Sequence, residues 1–172
     1  MNYRKALTVF STVVLIFYIY FNRTPYRLFD DYNKEVILSP CDGLVTHSDK
    51  RKISIFLNLF DVHAQYTPID SVIKSTEIIE GKYHMANTPE SDHNHGVKVI
   101  FSSIHGDIEV TQRVGFFVRR IVNYIKPGES VNRGIPYGKI NFGSRVDILL
   151  PENKESILSN LQPIYAGITR LC

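Results

Sequence analysis

Hydrophobic and polar positions along this chain fall into three regimes. Residues 6–21, ALTVFSTVVLIFYIYF, hold no charged side chain. They predict a helix apolar on every face, which only a large protein or a membrane can cover. Residues 23–35 are polar and predict a linker. From about residue 36 the pattern changes to short runs near period two: VILS, GLVTHS, KISIFLNLF, SVIKSTEII, VKVIFSSI, DIEVTQRV, KINFGS and RVDILL. Turn residues punctuate them, as in Pro40-Cys41-Asp42-Gly43, Pro68-Ile69-Asp70, His105-Gly106-Asp107 and Pro127-Gly128. This predicts one mainly β (α+β) domain over residues 36–172, barrel-like or sandwich-like, with few helices. The best helical candidate in the body is VGFFVRRIVNYI, residues 114–125. Its β-branched and aromatic content fits a buried strand pair as well.

Within the β pattern, KINFGSRVDILLP (residues 139–151) contains an interruption. Ile140 and Phe142 precede Gly143-Ser144, and Val146, Ile148 and Leu150 follow it. Glycine inside a strand pattern ordinarily marks a bulge or a close approach of two backbones. A second reading is that the Gly143–Ser144 bond is meant to break. Two stretches, KPGESVNRGIPYGKI and LQPIYAGITRL, place an aliphatic residue three positions before a glycine: Val131 before Gly134 and Ile164 before Gly167. Small hammerhead-type β modules use this spacing at tight turns.

The apolar run is about 24 Å long as a helix, a little short of a bilayer core of about 30 Å. Tyr18 and Tyr20 extend its reach at the interface. The bulky YIYFNRTP that follows lacks a small-residue cleavage site, so residues 1–22 read as a retained membrane anchor. Arg4 and Lys5 on one side are matched by Arg23 and Arg27 on the other. The flanking charges therefore set no orientation, and the body is expected on the cytoplasmic side.

The net charge of +3 hides an uneven distribution. Residues 113–145 carry seven basic side chains (Arg113, Arg119, Arg120, Lys126, Arg133, Lys139, Arg145) and one acid, Glu129. That leaves 13 of the 20 basic and 16 of the 17 acidic residues for the rest. The segment reads as a solvated face or as a surface for an anionic partner. In a chain held at a bilayer, an acidic lipid surface is favoured over nucleic acid. Two cysteines, Cys41 and Cys172, make no metal-binding pattern and no expected disulfide.

Six histidines offer chemistry. His93 and His95 in DHNH lack the further ligands of a metal site, and none is expected. His63 follows the strand KISIFLNLF, with Asp61 and Tyr66 nearby, and Asp42 sits in the SPCDG turn. A histidine at a strand end suits a general base, and a carboxylate behind it can fix its tautomer. With Ser144 the sequence offers Asp, His and Ser in that order. Plain structural roles compete: Asp42 before Gly43 is also a turn residue. Cys41 with His63 would make a thiol hydrolase, which leaves Gly143-Ser144 unexplained.

SPCDG, FDVHAQYTP and QRVGFFVRRIVNYIKPGESVNRGIPYGKINFGSRVDILLP, in this order, resemble the phosphatidylserine decarboxylase family, in particular its short single-domain branch. FNRTPYR resembles that family's Phe-x-Arg-x-Pro-x-Arg box. The resemblance runs from about residue 21 to 151, and more loosely to 171. It implies self-cleavage between Gly143 and Ser144. Ser144 Oγ attacks the Gly143 carbonyl, the ester so formed is eliminated, and Ser144 becomes a pyruvoyl group, a covalent cofactor made from the chain. His63 matches the base, oriented by Asp42. Chains 1–143 and 144–172 are expected to stay associated. The pyruvoyl carbonyl then serves as the electron sink for converting phosphatidylserine to phosphatidylethanolamine. The implied partners are phosphatidylserine and an anionic membrane surface, not nucleic acid, and a homo-oligomer is left open. Cys41 replaces the family's usual alanine, and His93-Asn94-His95-Gly96 replaces its Asn-Glu-Arg-Asn loop. Two alternatives stay open. One is the same chemistry on an ether-linked archaetidylserine. The other is an unprocessed, membrane-tethered β module that binds acidic lipid.

Overall fold

A computed structural model describes residues 3–27, 33, 35–116, 120–141 and 143–172. Phe142, Arg119, part of the 114–125 candidate and part of the 23–35 linker lie outside the described residues.

Helix α1 spans Tyr3–Phe21. Its 19 residues make it about 28 Å long, close to the hydrocarbon thickness of a bilayer. Val9, Phe10, Val13, Leu15, Ile16 and Ile19 are all exposed, and only Phe21 is buried. A core helix would show the reverse, so the described part of the body does not cover this apolar surface. The hydroxyls of Thr8 and Thr12 donate to the carbonyls of Arg4 and Thr8, four residues back, which satisfies them inside the helix.

The body is mainly β, as the alternation predicts. Among the described residues the strands number eleven: β1 (Gly43–Ser48), β2 (Lys52–Leu57), β3 (Ala64–Tyr66), β4 (Ser71–Ile79), β5 (Gly96–Ser103), β6 (Gly106–Arg113), β7 (Ile121–Asn123), β8 (Ser130–Val131), β9 (Pro136–Ile140), β10 (Ser144–Leu149) and β11 (Pro163–Ile164). The larger sheet runs β11-β1-β2-β10-β6-β5-β4-β8, and a smaller one runs β3-β9-β7. All pairings between these strands are antiparallel. The large sheet is open at β11 and β8, so no barrel closes.

The strand period decides what is buried. Ile53, Ile55 and Leu57 of β2, Val146 and Ile148 of β10, Ile108 and Val110 of β6, and Val99 and Phe101 of β5 share one core. Tyr137 and Ile140 of β9 join it from the small sheet, and the Tyr137 ring meets Phe101 edge-on at 5.3 Å. The small sheet therefore packs on the inner face of the large one.

Three sequence expectations are decided here. Within the described part of the 114–125 candidate no residue is helical and residues 121–123 form strand β7, so the strand alternative holds for that piece. VILS forms only an isolated bridge between Leu38 and Arg170. The interruption at Gly143-Ser144 is neither a bulge nor a close approach. It is the corner at which the chain leaves β9 in one sheet and enters β10 in the other. Gly143 takes φ +55°, and a Cβ built there meets nothing within 4 Å. At the two stretches with an aliphatic residue three positions before a glycine, Gly134 and Gly167 both have positive φ, at 75° and 66°, a left-handed backbone suited to a tight turn.

Candidate active site

Antiparallel pairing brings three chain segments to one end of the large sheet. Gly43 begins β1, Leu57 ends β2 and Ser144 begins β10, and these strands are neighbours. Leu57 faces Ser144 directly in register. Asp42 therefore stands just before β1, and the 58–63 turn leaves β2, both at the edge where the Gly143-Ser144 corner enters. The small sheet closes the group, since the Ile140 N–H donates to the His63 carbonyl at 3.2 Å.

Ser144 is fully buried, and its Oγ has no hydrogen-bond partner among the described residues. A buried hydroxyl without a partner is costly, which marks a position kept for chemistry or for a missing ligand. His63 is also fully buried. Its Nδ1 lies 2.9 Å from the carbonyl oxygen of Asp61. A carbonyl only accepts, so Nδ1 carries the proton and Nε2 presents its lone pair. Nε2 too is buried and unpartnered. Burial is the main cause that pushes the His63 pKa down to about 4, and the Lys139 and Arg23 cations push it the same way. The ring is a neutral base at pH 7.

The expectation that Asp42 orients His63 does not match this arrangement. The ring is held by the Asp61 main chain, and Phe21 stacks on it with centroids 4.3 Å apart. The Asp42 carboxylate instead accepts two hydrogen bonds from Arg27 Nη2, at 2.9 and 2.7 Å, and one from the Ala166 N–H at 2.8 Å. It ties the segment after α1 and the C-terminal turn to the start of β1. The Asp61 carboxylate accepts from the Asn58 N–H at 2.7 Å and shapes the turn that presents His63.

Sequence reading missed Phe21, Arg23 and Arg27 as site residues, because residue 21 ends an apolar anchor and residues 23–35 look like a polar linker. Arg23 Nη2 donates to the Phe60 carbonyl at 2.6 Å, and Tyr20 OH reaches the same oxygen at 3.2 Å. Tyr66 OH donates to the Pro25 carbonyl at 2.7 Å. The described part of that segment is thus packed on the site. The signal available was the FNRTPYR box.

Other candidates have structural duties. Cys41 is fully buried, and burial, with the Asp42 and Asp61 carboxylates nearby, raises its thiol pKa, the opposite of an activated nucleophile. In DHNH, Asn94 is a buried staple. It accepts from the His84 N–H and donates to the His84 and Val114 carbonyls. Asp92 pairs with Arg145 at 2.5 Å. Arg145 also pairs with Asp147 at 2.7 Å, and Asp147 holds Arg113 at 2.8 Å. Arg133 donates to the carbonyls of Asn33 and Val36. Several cations of the basic segment are therefore spent inside the fold.

The open sheet brings a buried, unpartnered serine that follows a left-handed glycine to the same strand edge as a neutral, buried histidine. Residues 47–171 match the family described as phosphatidylserine decarboxylase. The chain is 35% identical, over 92% of its length and 76% of the relative's, to a putative archaetidylserine decarboxylase proenzyme of Methanococcoides burtonii. It is 34% identical, over 97% of its length and 79% of the relative's, to the phosphatidylserine decarboxylase proenzyme of Streptomyces avermitilis. It is 32% identical, over 92% of its length and 78% of the relative's, to that of Parabacteroides distasonis. No solved structure matches the chain. The chain belongs to the phosphatidylserine decarboxylase family and is a decarboxylase.

Proposed function

We propose that this protein cuts itself between Gly143 and Ser144 and then, as a pyruvoyl enzyme, decarboxylates phosphatidylserine to phosphatidylethanolamine at a membrane. The observation that carries this reading is the pair of buried, unpartnered atoms at one sheet edge, Ser144 Oγ and His63 Nε2.

The chemistry follows from the atoms present. His63 Nε2 takes the proton of Ser144 Oγ as the oxygen attacks the Gly143 carbonyl carbon. The C–O bond forms, the C–N bond breaks, and the proton is returned to the Ser144 nitrogen, giving an ester. Loss of the Ser144 Cα proton then expels the Gly143 carboxylate from Cβ. One water replaces the nitrogen of the resulting enamine as ammonia, leaving a ketone at position 144. Gly143 suits this step, because its left-handed backbone turns the carbonyl through the corner at little steric cost.

The residues present fit a pyruvoyl group. Ser144 lies inside the fold, away from water, and no described side chain occupies its hydroxyl. Such a group supplies an electron sink that no side chain offers. His63, neutral and fixed in one tautomer, holds a proton acceptor at Nε2, which becomes a donor once it has taken up a proton. Strand β10 is bonded on one side to β2 and on the other to β6. A chain of residues 144–172 is therefore expected to remain a central strand of the core after the cut. The domain division proposed is an anchor over 1–22, a connecting segment over 23–35 and a decarboxylase domain over 36–172. The helix α1 serves as the anchor, and the body is placed on the cytoplasmic side.

Replacing Ser144 with Ala tests the reading: one uncut chain without activity is expected, and cleavage persisting there overturns it. The archaeal relative keeps a second substrate in view, archaetidylserine, which differs in the lipid backbone. Purified enzyme offered both lipids, with release of CO₂ from each, decides between them.

A further inference from the structure

Where α1 meets the body, a cavity of about 470 Å³ opens beside the site. This is within the size range of small-molecule pockets. One wall is the end of α1, with Phe17 and Phe21. The other is the face of the small sheet that carries Val122, Tyr124, Arg120 and Lys139. The lining holds two cations and no carboxylate. Among the described residues neither cation has an acidic partner, whereas Arg113 and Arg145 are both held by Asp147. Lys139 Nζ donates to Asn22 Oδ1 at 2.5 Å and sits 5.4 Å from the centre of the Phe21 ring. Burial lowers its pKa, so its charge is held at a cost that a bound anion would offset. Lys139 is also one residue from Ile140, whose N–H bonds the His63 carbonyl. An anion bound here is a neighbour of the base.

An apolar wall that continues along an exposed apolar helix, facing two unneutralised cations, matches a molecule with an anionic head and hydrocarbon tails. We propose that this cavity seats the phosphodiester of the substrate lipid, with Arg120 and Lys139 binding its phosphate oxygens and the aromatic end of α1 covering the first part of the acyl chains. The inference rests on the lipid decarboxylase reading above. It makes Arg120 and Lys139 determinants of substrate binding and gives α1 a role in shaping the site.

The test uses the full-length enzyme in neutral detergent micelles, with the mole fraction of short-chain phosphatidylserine varied. An Arg120→Gln/Lys139→Gln variant should still mature to two chains. Its KM should rise at least about tenfold, the loss of about 1.4 kcal/mol of binding, with kcat falling much less. The charge-keeping Arg120→Lys/Lys139→Arg variant should stay within about threefold of the parent, as expected of charge-assisted contacts. Phosphatidic acid should compete with substrate in the parent and lose that effect in the double Gln variant, and inorganic phosphate at equal concentration should not compete. An unmoved KM, a loss confined to kcat, or equal competition by inorganic phosphate overturns the inference. A parent protein that neither cleaves itself nor releases CO₂ instead overturns the decarboxylase reading, so the two failures are distinct.

Discussion

Acidification should leave His63 working well below the pH at which an ordinary histidine stops. The ring is fully buried, stacked on Phe21, bonded through Nδ1 to the Asp61 carbonyl and flanked by the Lys139 and Arg23 cations. Its pKa is pushed from the usual 6.5 down to about 4. At pH 5 about 90% of such a ring is the free base, against about 3% of an unperturbed one. Self-cleavage of freshly made precursor, followed by mass against time, should be nearly as fast at pH 5 as at pH 7 and fall away only towards pH 4. The same shift sets a stability change. In the unfolded chain His63 binds a proton below pH 6.5, and in the folded chain only near 4. Between these values the unfolded state holds more protons, so stability is lost as the pH falls through the window. The shift corresponds to about 3 kcal/mol. Urea unfolding of the Ser144→Ala precursor at pH 7 and pH 4 should show this loss beyond that of Ser144→Ala/His63→Gln. Asp61, whose carboxyl pKa is raised by burial, titrates in both proteins and cancels. A rate limb near pH 6.5, or identical pH slopes in the two proteins, would refute the buried neutral base.

Three further outcomes follow from the geometry. Arg27→Ala leaves the buried Asp42 carboxylate with the Ala166 N–H as its one remaining partner among the described residues. It should cost about 3 kcal/mol in the uncut precursor by urea unfolding, and an unchanged midpoint would show that this ion pair does not secure the segment after α1. Gly143→Ala meets no atom, so it should lose only about 1 kcal/mol through its left-handed backbone and still cleave. Complete failure to cleave would mean the side chain itself blocks the attack. Cys41→Ala removes a buried thiol from the core at about 1 kcal/mol and should keep full decarboxylase activity, which a thiol-dependent mechanism does not allow.

Strand period carried most of the fold. In β2, β5, β6 and β10 the alternate residues that look apolar in sequence are the ones that meet in the core. It failed where neighbours rather than period decide. Residues 121–123 became a strand because they pair with β9, a contact no local pattern reveals. The Gly143-Ser144 interruption was visible, but its cause, a change of sheet, depends on which strands β9 and β10 find as partners. The candidate site was legible as residue types that the fold brings to one sheet edge: His63, Asp42 and Ser144, in turns or at strand ends. Their wiring was not. A backbone carbonyl holding His63 leaves no mark on residue identity, and the Arg27–Asp42 pair joins a seeming linker to a turn. The charge of residues 113–145 was read correctly as an excess. Only packing shows that Arg113 and Arg145 are neutralised inside the fold, leaving Arg120 and Lys139 at the cavity.

The intact mass of the purified protein, taken before and after treatment with an amine and cyanoborohydride, bears most directly on the proposed chemistry. Two chains, 1–143 and 144–172, with the shorter one lacking a free amino terminus and gaining the mass of the reduced amine adduct, are predicted. A single stable chain at 19.7 kDa that takes up no amine would contradict it.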